Sequence, residues 1–135
     1  MATKIFVNLP VRDVKKSVDF FTNLGYTFNP QFTDENATCM IISDDIFAML
    51  LVEDYFKGFS KKEIVDTSKA NEVLIALSAA SREAVDEMVN KAVAAGGKAP
   101  NDKQDHGFMY QWGYQDLDGH IWEIMWMDPS AVKQA

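Results

Sequence analysis

Asp116-Leu117-Asp118-Gly119-His120-Ile121-Trp122-Glu123-Ile124-Met125-Trp126 is the stretch whose reading decides the fold. Its Asp-Leu-Asp-Gly start reads as a tight reversal, because glycine takes a positive φ at no steric cost. An aromatic strand, Gly107 to Gln115, enters the turn, and an apolar strand carrying one carboxylate, Glu123, leaves it. Pairing Asp116 with His120 puts Tyr110, Trp112, Tyr114, Trp122, Ile124 and Trp126 on one face. Gln111, Gly113, Gln115, Ile121, Glu123 and Met125 then share the other. The first face reads as core. On the second, Gly113 stands opposite Glu123 and is expected to leave space above the carboxylate. Whether Glu123 is a ligand, a base or a solvated side chain is the central question about function.

Around that hairpin lie 135 residues, 47% hydrophobic and 24% charged, enough for one domain-sized core. A single domain spanning 1–135 is expected. No apolar run approaches the roughly 18 to 20 residues that span a bilayer, and MATKIFVNLP lacks the pattern of a signal peptide, so a cytoplasmic protein is expected. One cysteine, Cys39, excludes an intrachain disulfide or a Cys-rich zinc site and reads as a small core residue. A net charge of −7 argues against nucleic-acid and anionic-membrane partners.

Working outward along the chain, Lys4 to Leu9 is a short strand that stops at Pro10. Asp13 starts a helix whose buried stripe is Val14, Ser17, Val18, Phe21 and Leu24, with Gly25 as its end. Tyr26 to Phe32 reads as a strand interrupted near Pro30. Thr38 to Ile42 and Ile46 to Val52 form an apolar hairpin; pairing Ser43 with Ile46 puts Met40, Ile42, Phe47, Met49 and Leu51 on one face. Residues 53–70 lack periodicity and read as a connector with one short helix. Glu72 to Ser78 is a strand, and Ser81 caps a helix from about Glu83 to Ala95 with Val85, Met88, Val89 and Ala92 buried. Lys98 to Lys103 is expected as a weak edge strand before the hairpin, and a polar tail follows Met127.

This order occurs twice, in residues 4–52 and 72–127, so each half is a β-α-β-β-β unit. Ser17-Val18-Asp19-Phe20-Phe21 in the first helix is echoed by Ala84-Val85-Asp86-Glu87-Met88 in the second. Neither half is long enough to close its own core. The predicted class is α+β, with two tandem units whose curved mixed sheets pair around a cavity and carry their helices outside.

Val7-Asn8-Leu9-Pro10-Val11-Arg12-Asp13-Val14-Lys15-Lys16-Ser17-Val18-Asp19-Phe20-Phe21, with Leu24-Gly25-Tyr26, resembles the opening of vicinal oxygen chelate proteins. The hairpin quoted first resembles their Asp-Pro-Asp-Gly turn and ligand strand. That superfamily includes glyoxalase I, bleomycin-resistance proteins, fosfomycin-resistance enzymes and extradiol dioxygenases, and the resemblance covers essentially the whole chain. It is specific for fold and weak for chemistry.

The resemblance implies a metal ligand on the first and last strand of each unit, His and Glu in glyoxalase-like members. Those positions fall on Phe6, Met49, Leu74 and Glu123. Glu123 alone is suited to a hard cation, so no glyoxalase-type metal centre and no cofactor are expected. His120 is three residues from Glu123 and points to the other face, while His106 reads as a surface residue in the loop before the hairpin, with gating of the cavity as the alternative.

Three functions follow. The first is a metal-independent protein of the bleomycin-resistance kind that binds a small apolar or aromatic molecule against Glu123, Phe6, Met49, Leu74, Gln111, Gly113 and Met40. The second is a divalent-metal-dependent lyase, isomerase or dioxygenase, similar to lactoylglutathione lyase, with Glu123 as ligand or catalytic residue. The third is a non-catalytic dimeric interaction protein with a filled cavity. Homodimerisation is expected from the resemblance and from the Met-rich sheet faces.

Overall fold

A computed structural model describes residues 3–131 of the protein. The chain divides into two compact units, the first running to Asp66 and the second starting at Thr67. Both units build a four-stranded sheet of the same topology.

In the first unit, strand β1 is Ile5–Val11, helix α1 Val14–Asn23, β2 Thr27–Asn29, β3 Ala37–Ile41 and β4 Ile46–Val52, and a short helix α2 spans Glu53–Phe56. The strand order is β1-β4-β3-β2, with β1 parallel to β4 and the other pairs antiparallel. Pro10 does not stop the first strand; it stays in register opposite Leu51. Because β1 is the sheet's edge, a missing N–H costs no ladder bond there. Asp13 caps α1 by accepting from the Lys16 N–H. The helix buries Val14, Ser17, Phe20 and Phe21, and its C-cap Leu24 is buried with them, on the side of a sheet face that includes Leu9, Met40, Ala48 and Leu50. Phe20 therefore replaces the half-buried Val18 in the expected stripe. The strand expected over Tyr26–Phe32 is only three residues long, since Pro30–Phe32 turns into a single 3-10 turn capped by the Asn29 side chain.

The second unit repeats the plan with β5 Leu74–Ser78, α3 Arg82–Ala94, β6 Gln104–Asp105, β7 Met109–Gln115 and β8 Ile121–Met127, in the order β5-β8-β7-β6. Ser81 caps α3 through Ala84 N–H, and the helix buries Val85, Val89 and Ala92. The edge strand expected at Lys98–Lys103 is displaced. Lys98 makes only an isolated bridge to Gln115, and the short edge strand lies at Gln104–Asp105. Residues 132–135 of the expected polar tail lie outside the described residues. Among the described residues no helix is long and apolar enough to cross a membrane.

The expected register of the second hairpin holds throughout: Gly113 pairs with Glu123, Tyr114 with Trp122 and Gln111 with Met125. In the first hairpin the register differs by one residue from the expected pairing. Ile41 pairs with Phe47, Met40 with Ala48 and Cys39 with Met49. A one-residue slip exchanges the faces of a strand, so Met40 and Ile42 leave the face that carries Phe47, Met49 and Leu51, and Met40 is fully buried on the helix side.

Candidate functional site

The hairpin turn is built by Asp116. Its buried carboxylate accepts from the N–H groups of Asp118 and His120 and from the indole N–H of Trp122, at 2.9–3.0 Å. Gly119 takes φ 86°, and the Thr67 hydroxyl donates to the carbonyl of Asp118 at 2.6 Å. Burial pushes the Asp116 carboxyl above the usual range, opposed by nearby His120 and by the hydrogen bonds from Trp122 and the turn backbone. His120 is buried on the helix side, with Nδ1 3.3 Å from Glu72. The Asp-Gly signature is legible in the sequence; the Asp116–Trp122 bond and the Glu72–His120 pair leave no signal there, because their partners are apart in the chain or look like ordinary core.

This turn sets β8 so that Glu123 faces away from α3. β8 is flanked by β5 and β7, and in register Glu123 sits between Ala76 and Gly113. Two of the smallest side chains thus flank the carboxylate, with Ile121 and Met125 above and below it on the same strand face. The space over Gly113 is not empty: a Cβ there would stand 2.9 Å from Glu123 Oε2, so the glutamate itself lies across the glycine. Glu123 is half-buried, and among the described residues its carboxylate has no hydrogen-bond or ion-pair partner.

Leu74 and Gln111 lie on this same helix-free face; Leu74 is 59% exposed. The opposite face carries Tyr110, whose hydroxyl donates to Asp86 of α3 at 2.6 Å. Burial, then that hydrogen bond, pushes the Tyr110 phenol up to about 12. Arg82 of α3 stacks over Tyr110 and Trp126, pairs with Asp105 and donates to the Gly107 carbonyl, which fixes the loop holding the exposed His106. The Gly107 N–H and the Arg82 side chain hold the Asp105 carboxyl below its usual range. His106 is thus on a tethered loop.

In the first unit, Phe6 and Met49 are likewise on the helix-free face, where Phe6 stacks on Phe47 at 4.8 Å. Met40, expected to join them, does not. Met49 also floors a cleft of about 310 Å³ whose wall includes Phe32, Thr33, Asp34, Asn36 and Tyr55. The cleft went unread in the sequence because its wall is a 3-10 turn and a four-residue helix, which leave no periodic signal.

The four positions at which the family resemblance implies metal ligands therefore hold a phenyl ring, a thioether, an isobutyl group and one carboxylate. This donor set does not fit a divalent metal that seeks nitrogen and oxygen. Among the described residues no three His, Cys, Asp or Glu side chains gather to hold a metal ion.

Residues 3–43 match a family described as bleomycin resistance protein-like N-terminal. A hypothetical protein from S. aureus of known structure is 30% identical, over 93% of this chain and 94% of its own, with a TM-score of 0.77. A glyoxalase/bleomycin resistance protein/dioxygenase family enzyme from Burkholderia phytofirmans is 17% identical over 93% of this chain and 99% of its own, TM-score 0.76. The genomically encoded fosfomycin resistance protein FosX from Listeria monocytogenes is 18% identical over 96% and 97%, TM-score 0.66. The last two likenesses are of fold alone. No curated protein matches the chain significantly.

Proposed function

The chain belongs to the vicinal oxygen chelate superfamily, and from that premise we propose that it binds a small apolar or aromatic molecule without a glyoxalase-type metal centre. The ligand lies against the helix-free sheet face at Glu123, and a cationic group on it meets the carboxylate. One observation carries this reading. Glu123 is half-buried, unpartnered among the described residues and flanked in register by Ala76 and Gly113, so a ligand group reaches the carboxylate over small side chains. Leu74, Ile121 and Met125 supply hydrocarbon around it, and Gln111 an amide at its margin. The donor set at Phe6, Met49, Leu74 and Glu123 supports a binding role that needs no Lewis acid.

The test is calorimetry on chelator-treated protein with a panel of aromatic amines and their neutral isosteres, beside elemental analysis of the untreated protein. Binding that survives the chelator, with no stoichiometric metal before treatment, is the expected result. Stoichiometric divalent metal that is lost on Glu123→Gln would replace this reading with a metal enzyme. The same proposal takes the protein as a homodimer, and light scattering should return twice the mass of one chain.

A further inference from the structure

The cleft in the first unit is built from residues that the Glu123 reading, apart from Met49, does not use. Its wall is held rigid from several directions. Asn29 caps Gln31 N–H, the Thr33 hydroxyl reaches the Asn29 carbonyl at 2.7 Å and the Thr38 hydroxyl at 2.8 Å, and Val52 N–H donates to the Asn36 carbonyl. Asp34 Oδ1 accepts from the N–H groups of Asn36 and Ala37 at 2.7 and 3.0 Å. Its second oxygen has no partner among the described residues. On this frame two large rings stay in solvent: Phe32 is 59% exposed and Tyr55 47%, the latter braced edge-on by Phe59 at 5.3 Å.

The residues lining the cleft include no Lys, Arg or His, so the Asp34 charge is not answered within it. Two aromatic rings, a polarizable thioether and an open carboxylate oxygen are the elements that recognise an organic cation. An inorganic divalent ion is a poor fit, since it asks for about six or more oxygens and finds one carboxylate here. An anion would meet like charge. The volume of about 310 Å³ lies at the small end of ligand pockets and suits a single ring or an alkylammonium head.

We propose that this cleft binds a small organic ammonium ion, with Phe32 and Tyr55 as its aromatic wall, Met49 as floor and Asp34 as counter-charge. The cleft shares Met49 alone with the Glu123 reading, and the two sites are separable by mutation at Asp34 and at Glu123. Asp34→Asn keeps the Oδ1 acceptor that both backbone N–H groups need and removes the charge, so the turn survives. Tyr55→Ala removes an exposed ring and leaves the core intact.

The experiment is a benzyltrimethylammonium titration of ¹⁵N-labelled protein, with benzyl alcohol as the neutral control. Saturable shifts at the amides of residues 31–37, 49 and 55 are expected. Asp34→Asn should weaken them about tenfold and Tyr55→Ala about fivefold, while Glu123→Gln leaves them unchanged. Raising the salt concentration should also weaken binding. Equal affinity of wild type and Asp34→Asn, or benzyl alcohol binding as well as the cation, would overturn the proposal. Shifts that vanish in Glu123→Gln but persist in Asp34→Asn would overturn it too, while sustaining the reading of the Glu123 face. Loss of the shifts in Asp34→Asn alone would leave the cleft proposal standing whatever becomes of that face.

Discussion

The two hairpins, β3–β4 and β7–β8, are the same object with different chemistry. Ile42 donates its N–H to Ile46 in the first as Asp116 does to His120 in the second, and the pairs Cys39–Met49 and Gly113–Glu123 occupy corresponding places. The first turn, Ser43-Asp44-Asp45, is exposed and has no residue at positive φ; its main tether is the Lys4 ammonium, 3.2 Å from Asp45. The second is closed by a buried carboxylate, a left-handed glycine and Thr67. Where the first sheet places a thioether beside a thiol, the second places a carboxylate beside a glycine. The shared frame therefore needs neither a buried polar turn nor an open carboxylate.

That comparison breaks first at Asp116. Asp116→Ala strands the Trp122 indole and two turn N–H groups and should cost about 3 kcal/mol in chemical denaturation. Asp44→Ala, at the corresponding exposed turn, should change stability by less than about 0.5 kcal/mol. Similar costs at both sites would show that the buried turn carries no special weight. Gly113→Ala comes next. Its Cβ would stand 2.9 Å from Glu123 Oε2 and 3.0 Å from the Trp122 carbonyl, so the carboxylate must swing off the sheet. About 2 kcal/mol of destabilisation and weaker ligand binding should follow.

The smallest effect concerns the helix side of the same sheet. With the Tyr110 phenol raised from 10.0 to about 12, the native state holds its proton where the unfolded chain has lost it. The stabilisation is complete below pH 10 and fades as pH rises to about 12. Ultraviolet titration should show the Tyr110 phenol ionising late, and Asp86→Asn should bring it earlier. An unchanged titration in that variant would remove Asp86 from the account.

How much of this was legible follows from the same contrast. The second hairpin could be read to the residue because Asp-Leu-Asp-Gly fixes where the chain reverses, and the strand faces follow from that one point. In the first hairpin no glycine marks the turn, and pairing Ser43 with Ile46 moved Met40 to the wrong face. The repeat held the answer, since Ile42 and Ile46 correspond to Asp116 and His120. Alternation within the hairpins puts Glu123 and Met49 on helix-free faces, whereas Phe6 and Leu74 follow only from the family resemblance. The Phe32–Asp34–Tyr55 cleft and the lean of Glu123 over Gly113 depend on side-chain packing and irregular turns, for which a sequence pattern carries no signal.

The role proposed for the Glu123 carboxylate is counter-charge to a bound ligand, not metal ligand or solvated side chain. It is tested most directly by calorimetry of one cationic aromatic ligand against chelator-treated wild type and Glu123→Gln. Affinity should fall about tenfold or more in the variant, equivalent to about 1.4 kcal/mol, with folding stability unchanged. Equal affinity in the two proteins would contradict it.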